Sequence, residues 1–150
     1  MAAVDDLHRT ADERLRADGQ RYTANRRALV DVLAASGCPV TMTEVLAAAD
    51  GMALSSAYRN LAVLEEAGVV HRVVTTDDNA RFELAEDLTG HHHHLVCTTC
   101  GVVLDIDVPE ELERHIAGLA AATERSTGWA VDHHRLDLLG TCPTCRATGG

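Results

Sequence analysis

Two groups of metal-ligand residues stand out in the sequence. Residues 90–101 read GHHHHLVCTTCG, so four consecutive His side chains run into a Cys-x-x-Cys pair, and a second such pair follows at 142–145. Two Cys-x-x-Cys pairs supply four thiolates, which is the donor set of a tetrahedral structural zinc ion. We therefore predict a structural Zn(II) site formed by Cys97, Cys100, Cys142 and Cys145.

Cys-x-x-Cys pairs also serve other chemistry, and a redox dithiol stays an alternative. A zinc deaminase needs His-x-Glu followed by Pro-Cys-x-x-Cys. This sequence has no His-x-Glu, and its Pro143 lies inside the second pair. It also shows no nucleophile–base motif and no Gly-rich phosphate loop. We therefore predict that the protein is not an enzyme and has no small organic substrate.

The four His residues are expected to lie in extended chain, because HHHHLVC is too short for a helix before Cys97. Side chains alternate between the two faces of a strand. His92 and His94 would then point to one side, and His91 and His93 to the other. Neutral imidazole suits Zn(II), Fe(II), Ni(II) or Co(II). The run therefore predicts two half-sites on opposite faces, with a solvated His patch that binds metals loosely as the alternative.

The elements that must position these residues begin with helices. Helical patterns cover Asp5 to Ala17, the segment from a capping Thr23 to Ser36, and a segment from the capping box at Thr41 to Ala49. A fourth helix, SAYRNLAVLEEAG, would be capped by Ser55 or Ser56 and end at Gly68. The strands VVHRVVT and ARFELA follow, joined by the turn TDDN. Helices followed by a small hairpin predict a winged helix-turn-helix domain over residues 1–86.

The second half of the chain has a different pattern. Short apolar strands, HHLVC, VVLDI and AVDHHRLDLL, flank the metal-ligand residues, and a helix runs from about Pro109 to Thr127. We predict a small α/β dimerisation domain over residues 91–150, with a hinge at 87–90 in the loop EDLTG. The fold class is therefore expected to be α+β. Cys38, beside Pro39, is expected to be a small buried residue.

The charge distribution decides which partners are compatible with the chain. The net charge is −10, but residues 1–72 carry only −2, with Arg21, Arg26 and Arg27 close together, while residues 73–150 carry −8. The first half can therefore contact DNA. No segment approaches the ~18 apolar residues that span a bilayer, and the charged N-terminus lacks a signal-peptide core. We predict a cytoplasmic protein without a membrane partner.

These motifs together resemble the ferric uptake regulator (Fur) superfamily of metal-dependent repressors, over nearly the whole chain. The matching segments are, in order, RYTANRRALVDVL, SSAYRNLAVLEEAGVVHR, RFEL, HHHHLVCTTCG and LLGTCPTC. The resemblance implies an N-terminal winged helix, a C-terminal dimerisation domain, and a homodimer. It also implies binding to a palindromic double-stranded DNA operator when a corepressor metal is loaded.

The resemblance also implies roles for individual residues. The four Cys residues align with the structural zinc ligands of the family, and His71, Glu83, His92 and His94 align with its sensing site. A dimer-domain site falls on His91, His93, Glu113 and His134, with Glu110 and Glu111 as competing acids. DNA contacts fall on Arg21, Tyr58 and Arg59. Asp105 falls on a position that is an additional acidic ligand in iron and peroxide sensors.

Departures from the family pattern bear on the regulatory metal. Iron and peroxide sensors often place a His just before the third helix, where this chain has Cys38-Pro39, and His71 stands where some zinc-uptake regulators have a ligand. The segment FELAED lacks a Cys that many zinc sensors use. We favour a repressor of zinc-uptake or zinc-homeostasis genes, with Zn(II) or Fe(II) as the regulatory metal. An iron- or peroxide-responsive repressor is the alternative, followed by a zinc buffer that binds no DNA.

Overall fold

The computed structural model describes residues 2–75 and 78–149. Its first part consists of four helices and a small sheet, in the order α1 (Ala2–Ala17), α2 (Ala24–Ser36), β1 (Val40–Thr41), α3 (Met42–Ala48), α4 (Leu54–Glu66), β2 (Val70–Val73) and β3 (Arg81–Leu84). The three strands are antiparallel, in the order β1-β3-β2. This is the predicted arrangement of helices followed by a wing. The predicted TDDN turn lies partly outside the described residues.

Side-chain caps fix the starts of two helices as predicted. The Thr23 hydroxyl accepts the backbone N–H of Arg26, and Thr41 and Glu44 form a capping box at the start of α3. The prediction that Ser55 or Ser56 caps α4 was wrong, because α4 begins at Leu54 without a side-chain cap. Ser56 lies within the first turn, where its carbonyl accepts a 2.9 Å hydrogen bond from Asn60.

The apolar core of the first part lies between the helices and the wing. Leu29 on α2, Leu61 and Leu64 on α4, and Phe82 on β3 are each at most 1% exposed. Their burial fixes the face that α4 presents to the core, so the opposite face of α4 is left to solvent. Phe82 also fixes the position of its neighbour Glu83 on the wing.

The second part is a three-stranded sheet with helices around it. Its elements are α5 (Glu86–Thr89), β4 (His93–Cys97), β5 (Val103–Ile106), α6 (Glu110–Thr127), β6 (Asp137–Gly140) and α7 (Pro143–Thr148). The strand order is β5-β4-β6, with β4 antiparallel to β5 and parallel to β6. The His run therefore enters the central strand of this sheet.

Two predictions about this part need correction. Residues 86–89 form a helical turn rather than a loop, and Glu86 and Asp87 suit its positive N-terminal end. The last strand is shorter than predicted, so His133 and His134 lie in an irregular segment before it. Arg14 of α1 makes an ion pair with Asp87 and thereby joins the first helix to the segment between the two parts. No helix in the described ranges is long and apolar enough to cross a membrane.

Candidate metal centres

The four predicted zinc ligands form one group, here called the four-Cys cluster. The Sγ atoms of Cys97, Cys100, Cys142 and Cys145 all lie within 4.8 Å of one another. Cys97 ends β4, and Cys142 and Cys145 belong to the cap and first turn of α7. Hydrogen bonds from the backbone of Cys100 and Cys142 lower the pKa of the Cys97 thiol to about 6. Four convergent thiols, one of which ionises readily, fit a tetrahedral Zn(II) ion.

A second group, the Glu113 cluster, consists of His91, His93, Glu113 and His134, whose ligand atoms also lie within 4.8 Å of one another. The Nε2 of His93 lies 2.5 Å from one carboxylate oxygen of Glu113, and the Nε2 of His134 lies 3.2 Å from the other. The hydrogen bond from His93 lowers the pKa of Glu113. Of the three competing acids on α6, only Glu113 joins this group.

A third group, the Glu83 cluster, consists of Glu83, His92, His94 and Asp105. Glu83 comes from the wing strand β3. His94 lies on β4, His92 directly precedes β4, and Asp105 lies on β5. The Nε2 atoms of His92 and His94 lie 3.1 Å and 3.2 Å from the Glu83 carboxylate. Both Nε2 atoms lie 3.8 Å from Asp105. The cluster therefore spans the contact between the wing and the second sheet.

The imidazoles and carboxylates of the Glu83 cluster shift one another's pKa values. Burial opposes ionisation of Glu83, but hydrogen bonds from His94 and His92 outweigh it and lower the pKa of Glu83. The hydrogen bond to Glu83 raises the pKa of His94. Burial raises the pKa of Asp105. Two imidazoles and two carboxylates facing one point are a donor set that fits a divalent cation.

His71 stands outside the Glu83 cluster. The strand register pairs His71 directly with Glu83, which puts both residues on one face of the wing. The His71 side chain is exposed and lines a cavity of about 640 Å³ together with His92 and His94. The fourth possible ligand of the Glu83 cluster is Asp105 rather than His71. The role of His71 as a ligand stays a prediction.

Cys38 is partly exposed, although the sequence predicted a buried residue. It lines a second cavity, of about 350 Å³, whose wall also includes Glu83, His92 and Asp105. Burial raises the pKa of the Cys38 thiol, and the negative charges of Asp105 and Glu44 raise it further. The thiol therefore ionises less readily than that of an ordinary Cys. The sequence signal for Cys38 was its position just before β1, close to the third helix.

The residues predicted to contact DNA lie on exposed surfaces of the first part. Tyr58 is 52% exposed, and Arg59 beside it is also exposed, on the solvent face of α4. Arg21 is exposed before α2, and its carbonyl oxygen accepts a 2.6 Å hydrogen bond from Arg26. The Nε of Arg26 donates to the buried Asn60 of α4 over 3.0 Å. This network fixes α4 relative to the segment that carries Arg21.

Known proteins match this chain over most of its length. The peroxide operon regulator of Bacillus subtilis (strain 168) is 31% identical over 142 residues, which cover 89% of each chain. A peroxide-responsive repressor of Staphylococcus saprophyticus is 29% identical over 141 residues, which cover 88% of this chain and 86% of that protein.

Solved structures share the fold. The Helicobacter pylori ferric uptake regulator matches with a TM-score of 0.74 at 21% identity, covering 95% of this chain and 93% of that chain. A zinc-bound manganese uptake regulator matches with a TM-score of 0.64 at 28% identity, covering 89% and 98%. The sequence profile described as "Ferric uptake regulator family" matches residues 17–139. Because this match spans well over half of the residues, the chain belongs to the ferric uptake regulator family.

Proposed function

We propose that this metal-responsive transcriptional regulator is a repressor whose DNA binding depends on a divalent ion at the Glu83 cluster. One observation carries the proposal: Glu83 lies on the wing, whereas His94 and Asp105 lie on the second sheet and His92 directly precedes it. Because the ligands come from both the wing and the second sheet, an ion bound by all four side chains would fix the orientation of one relative to the other. The orientation of α4, which carries Tyr58 and Arg59, would then depend on occupancy.

The chain's own residues would act as follows. Without an ion, Glu83 holds His92 and His94 through hydrogen bonds to their Nε2 atoms. A bound divalent ion supplies positive charge to the carboxylates and accepts the imidazole lone pairs. His92 and His94 would hold such an ion through deprotonated Nε2 atoms, and the carboxylates of Glu83 and Asp105 would supply the oxygen donors. A hundredfold gain in operator affinity corresponds to about 2.7 kcal/mol of coupling between metal and DNA binding.

Fe(II) is our first candidate for the regulatory ion, and the donor set is compatible with it. The donor set contains two imidazoles and two carboxylates but no thiolate, and such sets suit Fe(II) and Mn(II) at least as well as zinc. Relatives at 29–31% identity include regulators named for their response to peroxide. A peroxide response would be detected by mass spectrometry as oxygen added to His92 or His94 after treatment of the Fe(II)-loaded protein.

Zn(II) is the second candidate, and His71 is the observation that favours it. His71 lies opposite Glu83 in the strand register and borders the same cavity as both imidazoles. If its exposed ring turned towards the cluster, it would add a third nitrogen donor, which suits tetrahedral Zn(II). Replacement of His71 by Ala separates the candidates: Zn(II) affinity would fall tenfold or more if His71 is a ligand, whereas Fe(II) or Mn(II) affinity would not change.

The proposed partner in assembly is a second copy of the chain. The second part exposes large apolar side chains, including Leu95 at 37%, Leu104 at 50% and Leu138 at 51%, and the strand register puts these three on one face of the sheet. None of the 18 residues of α6 is buried in the single chain. An amphipathic helix and an apolar sheet surface left open in this way indicate an interface. A two-fold dimer would also present two copies of α4 to a palindromic operator.

The test of the proposal uses a chelator that is too weak to remove the four-Cys zinc. Operator binding is expected to disappear on treatment and to return with added Fe(II), while mass spectrometry shows one retained zinc per chain. Operator binding that persists without a second ion would contradict metal control through the Glu83 cluster. Replacement of Arg59 by Ala addresses the zinc-buffer alternative, because a buffer has no specific DNA binding to lose.

A further inference from the structure

The carboxylate of Asp137 is held on one side only. Asp137 begins β6, and its Oδ2 accepts a 2.8 Å hydrogen bond from the Nε of Arg135 and lies 2.6 Å from the Nη2 in an ion pair. Its Oδ1 is buried and has no hydrogen-bond partner among the residues that the structure describes. A buried carboxylate oxygen without a donor is costly and calls for an explanation.

A donor lies beside this oxygen. The parallel pairing of β4 and β6 puts His94 opposite Asp137, and the Nδ1 of His94 lies 3.4 Å from Oδ1. This separation is that of an ion pair whose hydrogen bond is not yet aligned, so a small rotation of the ring would complete it. Arg135 holds the other oxygen and thereby keeps Oδ1 directed towards the ring.

The second nitrogen of the His94 ring faces the Glu83 cluster. The Nε2 of His94 lies 3.2 Å from Glu83 and 3.8 Å from Asp105. The ring therefore has a carboxylate at each nitrogen. His92 repeats this arrangement, because its Nε2 faces Glu83 while its Nδ1 lies 3.0 Å from the carbonyl oxygen of Gly90. Both imidazoles of the cluster thus have an acceptor at Nδ1 and face the centre with Nε2.

We propose that Asp137 is a positioning residue for the Glu83 cluster. It accepts a hydrogen bond from the Nδ1–H of His94 and so directs the Nε2 lone pair to the ion. This inference rests on the proposed function. An acceptor behind a metal-binding imidazole fixes its tautomer and its orientation, and loss of such an acceptor costs about 10- to 100-fold in metal affinity. Asp137 is not itself a ligand, because Arg135 holds its Oδ2 and its Oδ1 lies beside the Nδ1 of His94.

The proposal is tested with the full chain and Zn(II) as the diamagnetic probe, with the ¹⁵N shifts of the His94 ring reporting occupancy of this centre alone. In the wild type we expect Nε2 to bind the ion and Nδ1 to carry a proton that exchanges slowly with water. Replacement of Asp137 by Ala is expected to abolish the slow exchange and to lower affinity about 10- to 100-fold. Asp137→Asn, which keeps an oxygen acceptor without the charge, should lose less affinity than Asp137→Ala.

Asp132→Ala is the matched control, because Asp132 is an exposed carboxylate in the segment just before β6. It removes the same charge and is expected to leave the affinity and the Nδ1 proton unchanged. Retention of the four-Cys zinc by each variant shows that the sheet is intact, and Asp137→Asn provides the test if the Ala variant does not fold. Unchanged affinity and exchange in the Asp137 variants would overturn the inference. Failure of the wild type to bind an ion at the Glu83 cluster would instead overturn the proposed function.

Discussion

As the pH is lowered, the metal affinity of the Glu83 cluster is expected to begin to fall above the pKa of an unperturbed histidine, about 6.5. The hydrogen bond to Glu83 raises the pKa of His94 in the metal-free protein. Burial lowers the pKa of His92, but hydrogen bonds to Gly90 and Glu83 outweigh burial and raise it. An imidazole must be deprotonated before it binds a metal. Protons and metal therefore compete from above the unperturbed value of about 6.5.

The magnitude follows from the number of protons displaced. Below the raised pKa values, binding at His92 and His94 releases one proton from each ring, so affinity should rise up to about 100-fold per pH unit. Well above those values no proton is displaced, and affinity should become constant. Glu83 contributes no proton over this range, because its pKa is lowered and it is already ionised.

The assay is calorimetric titration with Mn(II) in buffers of different ionisation enthalpy, between about pH 5.5 and 8.5. The titration gives the affinity and the number of protons released per ion. Glu83→Gln is the matched variant: it weakens binding, and it also moves the pH window of proton release downwards because His94 loses the partner that raises its pKa. A metal affinity that is constant across this range would refute the reasoning, as would an unchanged window in Glu83→Gln.

Three further expectations address the fold, the structural metal and the dimer. Cys142→Ser should lose the zinc ion in native mass spectrometry and show a lower melting temperature by circular dichroism. Cys38→Ser should keep the zinc. Zinc retained by Cys142→Ser would contradict the four-Cys assignment. Phe82→Ala removes a side chain that is 1% exposed and should lower the free energy of unfolding by about 3–5 kcal/mol, measured with urea. Leu138→Glu should convert a dimer to a monomer in light scattering, and an unchanged mass would exclude this face of the sheet from the interface.

Much of the candidate site could be predicted from the sequence because its signals are local. Alternation along a strand separates His91 and His93 from His92 and His94, and the structure brings each pair into a different cluster. Capping residues at Thr23 and Thr41 likewise act within one turn and predicted the starts of two helices.

The remaining features depend on contacts between distant parts of the chain. Whether His71 or Asp105 completes the Glu83 cluster depends on how the wing meets the second sheet, and no local pattern encodes that contact. Asp137 reaches His94 through parallel strand pairing across about forty residues, a register that sequence periodicity does not specify. The start of α4 was misplaced because Ser56 bonds to Asn60 and Asn25 within the fold.

The most direct test of metal control is operator affinity with and without Fe(II), measured by fluorescence anisotropy on a duplex selected from a random pool. The wild type should gain about 100-fold in affinity on addition of the ion, and His94→Ala should gain nothing while it keeps its four-Cys zinc. His115→Ala, which replaces a His outside all three clusters, is the control and should respond like the wild type. Equal wild-type affinity in both conditions, or a full response in His94→Ala, would contradict control through the Glu83 cluster.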